Sequence, residues 1–243
     1  MQEFETFVYL DVQKTGSSFL SRLLQLHSSE KEIRFKKHGR ADRKYDPSKF
    51  YFISVRAPLD QYVSLYSHGS TGYGGLYHRL REQGHADLYD STWDGFKRWL
   101  KFVLRPENAA LLDEGYGEIG SGELCKLIGF QTYRFLELAL QDALETLERC
   151  HTRDDIRKAY AEKKMANFII HHETYRQDVE ELLTTRIHKS ISDVEGALKF
   201  LNEADRINVS DRIDKFETDP KVGPKNKQNL RDREWFMREM FDY

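Results

Sequence analysis

Cysteine, long apolar runs and net charge are all scarce in this sequence. The two cysteines, Cys125 and Cys150, give neither a disulfide framework nor a metal-ligand spacing. They favour free buried thiols in a reducing compartment, with a single disulfide as the alternative. No apolar run approaches the roughly 18 residues that a membrane-spanning helix needs. The formal net charge of −2 at pH 7 does not indicate a nucleic acid or an anionic membrane as a partner.

The first residues, Met1 to Thr6, lack the basic and apolar regions of a secretory signal. A content of 39% apolar and 32% charged residues is typical of a soluble globular protein. A chain of 243 residues is long enough to bury a core as one domain. We therefore expect a single cytoplasmic domain over residues 1–243, with no segment that spans a membrane.

A strand, a turn and a helix are predicted near the start of the chain. The apolar run Phe7 to Leu10 is typical of a buried parallel strand, and apolar residues recur at helical spacing from Phe19 to Leu26. Gly16 allows a tight turn, two serines can cap the helix, and a lysine adds a cation beside its free N–H groups. The turn therefore predicts a cradle for a phosphate-like group, built from Lys14, Thr15, Gly16, Ser17 and Ser18.

The order of these residues differs from that of the ordinary P-loop, G-x-x-x-x-G-K-[ST]. Lys14 precedes Gly16, and no glycine lies upstream of it. This order argues against a standard nucleoside triphosphatase. The alternative interpretation is a tight connection between a strand and a helix, with a solvated lysine.

A second motif follows another apolar run, Tyr51 to Val55. Pro58 suits the first turn of a helix, and Arg56 would lie at the carboxyl end of its strand, where open α/β sheets place their ligands. Ser64 lies two turns into that helix. An arginine and a hydroxyl in this arrangement can hold a second phosphate, because a guanidinium donates paired hydrogen bonds.

Together and in this order, the two motifs resemble those of the sulfotransferases that use 3′-phosphoadenosine 5′-phosphosulfate (PAPS). The first is similar to their 5′-phosphosulfate loop, with Gln13 in place of the usual proline. The second is similar to their 3′-phosphate motif: it keeps Arg56, Pro58 and Ser64, while Ala57 and Gln61 replace the commoner Asp and Arg.

The resemblance implies a fold and a reaction. The fold is a P-loop-like, three-layer α/β/α domain with a central parallel sheet and added helices in the C-terminal half. The reaction is transfer of the sulfuryl group from PAPS to a hydroxyl on a glycan, a lipid or a small molecule, which leaves adenosine 3′,5′-bisphosphate (PAP). Loop amides from Thr15 to Phe19, together with Lys14, would hold the phosphosulfate, and Arg56 and Ser64 would hold the 3′-phosphate.

His38 follows a predicted short strand around Ile33 and Phe35. The resemblance implies that a histidine in this region is the general base on the acceptor hydroxyl, a task that suits imidazole near pH 7. The alternative is a surface histidine in a basic loop. The basic residues around it would steer the anionic donor or hold an acidic acceptor, unless they only form a solvated loop; they are Arg34, Lys36, Lys37, Arg40, Arg43 and Lys44.

Two later segments complete the expectations. In relatives a basic loop near the C-terminus closes over the nucleotide, a part that Lys221, Gly223 and Lys225 would play here. His171, His172 and Glu173 follow a predicted strand at Asn167 to Ile170, but adjacent strand residues point to opposite faces, so no metal site is expected. The rival functions are a P-loop kinase and a nucleotide-binding module without catalysis.

Overall fold

The computed structural model describes residues 1–41, 45–203 and 222–243. The chain is an α/β protein and divides into two compact units. The first unit contains the described residues of 1–56, 137–142 and 163–208, and the second contains those of 57–136, 143–162 and 209–243. Whether the whole chain acts as one functional domain stays a prediction.

A five-stranded sheet forms the centre of the first unit, with strand order β3-β1-β2-β4-β5. Strands β2, β4 and β5 run parallel, whereas β1 is antiparallel to both β2 and β3. The sheet is therefore mixed, where the sequence predicted a parallel one. The reason is local: residues 4–6 form a connection between β1 and β2 that is too short for a parallel crossover. The strands are β1 Gln2–Glu3, β2 Phe7–Leu10, β3 Arg34–Phe35, β4 Phe50–Val55 and β5 Phe168–His171.

The helices account for most of the remaining structure, and the second unit is almost entirely helical. Short 3₁₀ turns and one π-helical turn, Leu182–Arg186, lie between them. The α-helices are α1 Ser17–His27, α2 Pro58–Ser70, α3 Gly75–Glu82, α4 Trp93–Val103, α5 Ala109–Leu112, α6 Glu114–Glu118, α7 Leu124–Leu127, α8 Phe130–Ala139, α9 Ala143–Glu148, α10 Arg153–Lys163, α11 Tyr175–Glu181, α12 Val194–Glu203, α13 Pro224–Arg233 and α14 Trp235–Phe241.

The register of the parallel strands brings their carboxyl ends to one edge of the sheet. Leu10 of β2 pairs with Ile53, and Val55 of β4 pairs with His171 of β5. The backbone N–H of His172 continues this pairing by donating to the Val55 carbonyl at 2.9 Å. The residues that directly follow β2 and β4 therefore emerge at this edge, as the sequence predicted.

Alternate strand residues and three helices build the core of the first unit. The buried cluster combines one face of the sheet with the apolar stripe of α1, whose buried leucines are Leu20, Leu23 and Leu24. That i, i+3, i+4 spacing is the pattern from which the helix was predicted. Leu26, which was counted in the same stripe, is 45% exposed. The sheet and the later helices contribute Phe7, Tyr9, Phe52, Ile170, Val179, Leu182 and Leu201.

The second unit has its own apolar interior. Helix α4 buries Phe96, Trp99, Leu100 and Val103 on one side, and Thr92 caps its start by accepting a hydrogen bond from the Gly95 amide. Both cysteines of the chain are buried free thiols. Within the described residues, no helix is long and apolar enough to cross a membrane.

Candidate functional site

The predicted turn between the first long strand and its helix is present. Strand β2 ends at Leu10 and α1 begins at Ser17, with Gly16 as the N-cap at φ +89°. The Gly16 carbonyl accepts from the N–H groups of Phe19 and Leu20 at 3.2 and 3.3 Å. A Cβ at position 16 would lie 2.7 Å from Cε2 of Tyr175. Glycine is therefore required here by both backbone conformation and space.

Ser17 and Ser18 do not cap the helix, and this sequence-based interpretation is wrong. Both serines lie inside the first turn of α1, and no side chain caps its start. The Phe19 amide already donates to the Gly16 carbonyl, so the helix amides from which an anion can accept hydrogen bonds are those of Ser17 and Ser18. The serine side chains instead line a cleft beside the helix.

The Thr15 side chain lies beneath the turn and points away from solvent. Its hydroxyl donates to the Val12 carbonyl at 2.7 Å and lies 2.6 Å from the Ser54 hydroxyl, which in turn lies 2.7 Å from the Tyr9 hydroxyl. Because Thr15 gives its only proton to Val12, Ser54 donates to Thr15 and Tyr9 donates to Ser54. The Thr15 side chain therefore anchors the turn to β2 and β4, and only its backbone amide is left for a ligand.

Positive charge concentrates at Lys14. The Lys14 ammonium forms no ion pair or hydrogen bond with a described residue. Burial, the largest cause, and the charges of Arg56 and Lys37 together lower its pKa to about 8. Lys14 itself has a left-handed backbone at φ +64°, which is uncommon for a residue with a side chain. The effect of Arg56 and Lys37 on the Lys14 pKa means that these three cations lie near one another at the start of α1.

Arg56 directly follows β4 and is buried, with 8% exposure. Its Nη1 donates to the Lys14 carbonyl at 3.2 Å, so the guanidinium is directed at the turn after β2. The sequence did not predict this contact. Through this hydrogen bond Arg56 stabilises the turn, and its guanidinium also places a positive charge beside the turn.

His38 lies beside the end of β2, held by Asp11. Its backbone N–H donates to both carboxylate oxygens of Asp11, at 3.0 and 2.9 Å. Its Nδ1 lies 3.0 Å from the Asp11 backbone oxygen and 3.3 Å from the carboxylate. Nδ1 therefore carries the proton in the neutral ring, and the Nε2 lone pair is the proton acceptor. The backbone of His38 is left-handed at φ +54°, and Asp11 stabilises that conformation.

Asp11 is buried, with 1% exposure, and sequence reasoning missed it. Besides His38 it pairs with the amino group of Met1. Burial raises the pKa of Asp11, but the hydrogen bond with His38 and the charge of the Met1 amino group outweigh this and lower it below its ordinary value. Asp11 is thus ionised at neutral pH. The available signal was a carboxylate directly after a buried apolar strand.

The remaining predicted residues belong to the second unit or fall outside the described residues. Ser64 is half-buried on α2 of the second unit. Gly223 is the exposed N-cap of α13, and Lys225 lies exposed in the first turn of that helix, also in the second unit. Lys221 lies outside the described residues. The roles of these residues stay predictions.

His171 is the last residue of β5, and His172 directly follows it. His171 has its Nδ1 3.4 Å from the Asp178 carboxylate, which also accepts from the His171 backbone N–H at 2.7 Å and from the Thr174 hydroxyl at 3.0 Å. In the described part of the chain, no group of three or more His, Cys, Asp or Glu side chains is arranged to hold a metal ion.

Comparison with family models, with curated proteins and with solved structures found no match to this chain.

Proposed function

We propose that this chain is a sulfotransferase that moves the sulfuryl group of PAPS to a hydroxyl acceptor, and that its first unit has a P-loop-like, three-layer arrangement. The observation that carries the proposal is the cluster of Lys14, Lys37 and Arg56 at the N-terminal end of α1. Neither lysine side chain is neutralised by a described carboxylate. An anion that binds between neighbouring cations relieves their mutual repulsion and stabilises them.

Each residue of the turn has a part in this proposal. Lys14 and the first amides of α1 would hold the phosphosulfate and stabilise the charge that grows on the leaving phosphate oxygen. PAPS supplies an activated sulfuryl group through its mixed anhydride with phosphate. The acceptor oxygen would bond to sulfur as the bond from sulfur to the 5′-phosphate oxygen breaks, and the acceptor proton would pass to Nε2 of His38.

A binding experiment separates the proposal from its rivals. Calorimetric titrations should compare PAP with adenosine 5′-monophosphate, which lacks only the 3′-phosphate, and with ADP. We expect PAP to bind most tightly. Arg56→Ala should weaken PAP binding by about 10- to 100-fold, because a charge-assisted hydrogen bond is lost, and should affect the monophosphate much less.

Each contrary outcome has a distinct meaning. If Arg56→Ala weakened the binding of PAP and of the monophosphate equally, Arg56 would stabilise the turn without binding the 3′-phosphate. ADP binding as tightly as PAP would favour the kinase rival. Arg186→Ala is the matched control, because this arginine lies exposed in the same unit and pairs with Glu181.

Binding of PAP should also depend on the charge of Lys14. The Lys14 pKa of about 8 means that the ammonium is present below that pH and is lost above it. An anion favours the protonated form, so affinity should be greatest below pH 8. Above pH 8 it should fall by up to about tenfold per pH unit. Arg56 stays charged over this range, so binding weakens without vanishing.

Lys14→Arg provides the control for this pH dependence. Arginine keeps its charge to far higher pH, so the variant should show a flat affinity profile around pH 8. Wild-type binding at pH 8 should also take up protons, which titrations in buffers of different ionisation enthalpy measure. A flat wild-type profile would contradict the assignment of Lys14 to the phosphosulfate.

A further inference from the structure

A cleft of about 330 Å³ lies beside the start of α1 in the first unit. One wall consists of α1 side chains, and the other comes from β3 and the residues that follow it. Asp11 and Lys37 both line the cleft, and His38 follows Lys37 in the chain and is held by Asp11, so the cleft adjoins the candidate base. The lining residues are Asp11, Ser17, Ser18, Ser21, Arg22, Gln25, Phe35 and Lys37.

Positive charge exceeds negative charge among the residues that line this cleft. Arg22 and Lys37 are exposed, and neither side chain forms an ion pair or hydrogen bond with a described residue. Asp11 is the one acidic residue of the lining, and its carboxylate already accepts from Met1 and His38. The cleft therefore has two cationic side chains that lack a partner among the described residues, and its one carboxylate already has partners.

Apolar and neutral polar groups complete the lining. The Phe35 side chain is 44% exposed and gives the lining an apolar aromatic surface. The side-chain amide of Gln25 donates to the Glu32 carboxylate at 3.2 Å. A ring or sugar face against Phe35, with an oxyanion between Arg22 and Lys37, matches this combination of surfaces.

We propose that this cleft is the acceptor subsite and that it selects hydroxyl acceptors which carry a carboxylate or sulfate group. The assignment rests on the proposed sulfotransferase function, because it takes His38 as the base on the acceptor hydroxyl. The acceptor's oxyanion binds Arg22 and Lys37, which leaves its hydroxyl on the Asp11 side of the cleft, next to His38. The phosphosulfate occupies the amides at the start of α1 and Lys14, so Arg22 serves the acceptor alone and Lys37 lies between the two anions.

The test measures binding of non-reactive probes to the full chain saturated with PAP. Benzenesulfonate and benzoate carry the two oxyanions, and benzenesulfonamide and benzamide are their neutral counterparts. We expect both anions to shift the amide NMR signals of the cleft and to bind about tenfold more tightly than the neutral probes. Arg22→Gln and Lys37→Gln should each weaken anion binding about threefold, and the double variant about tenfold, as expected for exposed ion pairs.

Lys199→Gln is the control, because Lys199 is an exposed lysine of the same unit that pairs with Glu203. It should leave probe binding unchanged. Equal binding of charged and neutral probes, no binding of either, or insensitivity to both substitutions would overturn the subsite. In turnover assays benzenesulfonate should compete with the acceptor and not with PAPS; competition with PAPS would place the anion in the donor site and also overturn it. Failure of wild-type protein to bind PAP would count against the proposed function instead.

Discussion

Replacing His38 with alanine is expected to lower turnover by a factor of about 10² to 10⁴ while PAP binding stays near its wild-type value. The imidazole is the only part of the residue that the proposed reaction uses, through Nε2. The backbone N–H of residue 38, which donates to the Asp11 carboxylate, remains in the variant, so this segment should keep its position. The measurement is release of PAP from PAPS with the acceptor that gives the highest wild-type turnover.

Two further measurements show whether the loss is chemical. Free imidazole added to His38→Ala should restore part of the turnover, because it fills the space of the lost ring. His188→Ala is the matched control: the Nδ1 of His188 lies 3.2 Å from a backbone carbonyl, that of Thr185, but the ring is exposed. Undiminished turnover in His38→Ala would remove this residue from the reaction. Wild-type protein that binds PAP tightly and never turns over would favour the binding module without catalysis.

The sequence predicted the elements whose cause is local. An apolar run, a glycine and leucines at helical spacing are enough to give β2, the turn and α1, since each depends on neighbours along the chain. The requirement for Gly16 followed from the same logic. The space that Tyr175 leaves for it was not readable, because the tyrosine comes from a helix far along the sequence.

Strand β1 could not be predicted from a local pattern. Gln2 and Glu3 are polar, so the strand that they form has no apolar pattern. Gln2 is nonetheless buried, because its side-chain amide donates to Glu32 at 2.7 Å and to the Ser21 carbonyl at 3.4 Å. Such partners are chosen by the tertiary fold and leave no periodic signal. Strand β1 and its antiparallel pairing were missed for this reason, although the short strand at β3 was predicted.

Asp11 was missed for a related reason. Its role depends on two donors that are far apart in the chain, the Met1 amino group and the His38 amide. Sequence reasoning identified His38 by its position after a strand, but it had no means of finding the carboxylate that fixes the ring. A site built from a local motif can therefore be predicted sooner than the residues that orient it.

The same limit applies to Glu234, and its removal is expected to destabilise the second unit strongly. Glu234 is fully buried between α13 and α14. Its carboxylate accepts from the Tyr62 hydroxyl at 2.6 Å, the Gln131 amide at 3.2 Å, and the Thr132 amide and hydroxyl at 2.9 and 2.6 Å. Because α8 begins at Phe130, this carboxylate caps the helix from a distant part of the chain.

Glu234→Ala should lower the free energy of unfolding by about 3 kcal/mol or more. The alanine leaves three buried residues with unsatisfied donors and opens a cavity beside Gly129, where a Cβ would lie 2.0 Å from the present carboxylate. Urea denaturation followed by tryptophan fluorescence measures this directly. All three tryptophans, Trp93, Trp99 and Trp235, belong to the second unit, so the signal reports on the unit that is changed.

The size of the loss separates a buried carboxylate from an exposed one. Glu239→Ala, the control, removes an exposed pair with Arg157 whose distances are 2.6 and 2.8 Å, and it should cost less than about 1 kcal/mol. Glu234→Gln should fall between the two, because its amide oxygen still accepts from α8 while its NH₂ group faces donors. If Glu234→Ala cost no more than Glu239→Ala, the network around Glu234 would be dispensable. The stability of the second unit would then rest on its apolar core, around Trp99, alone.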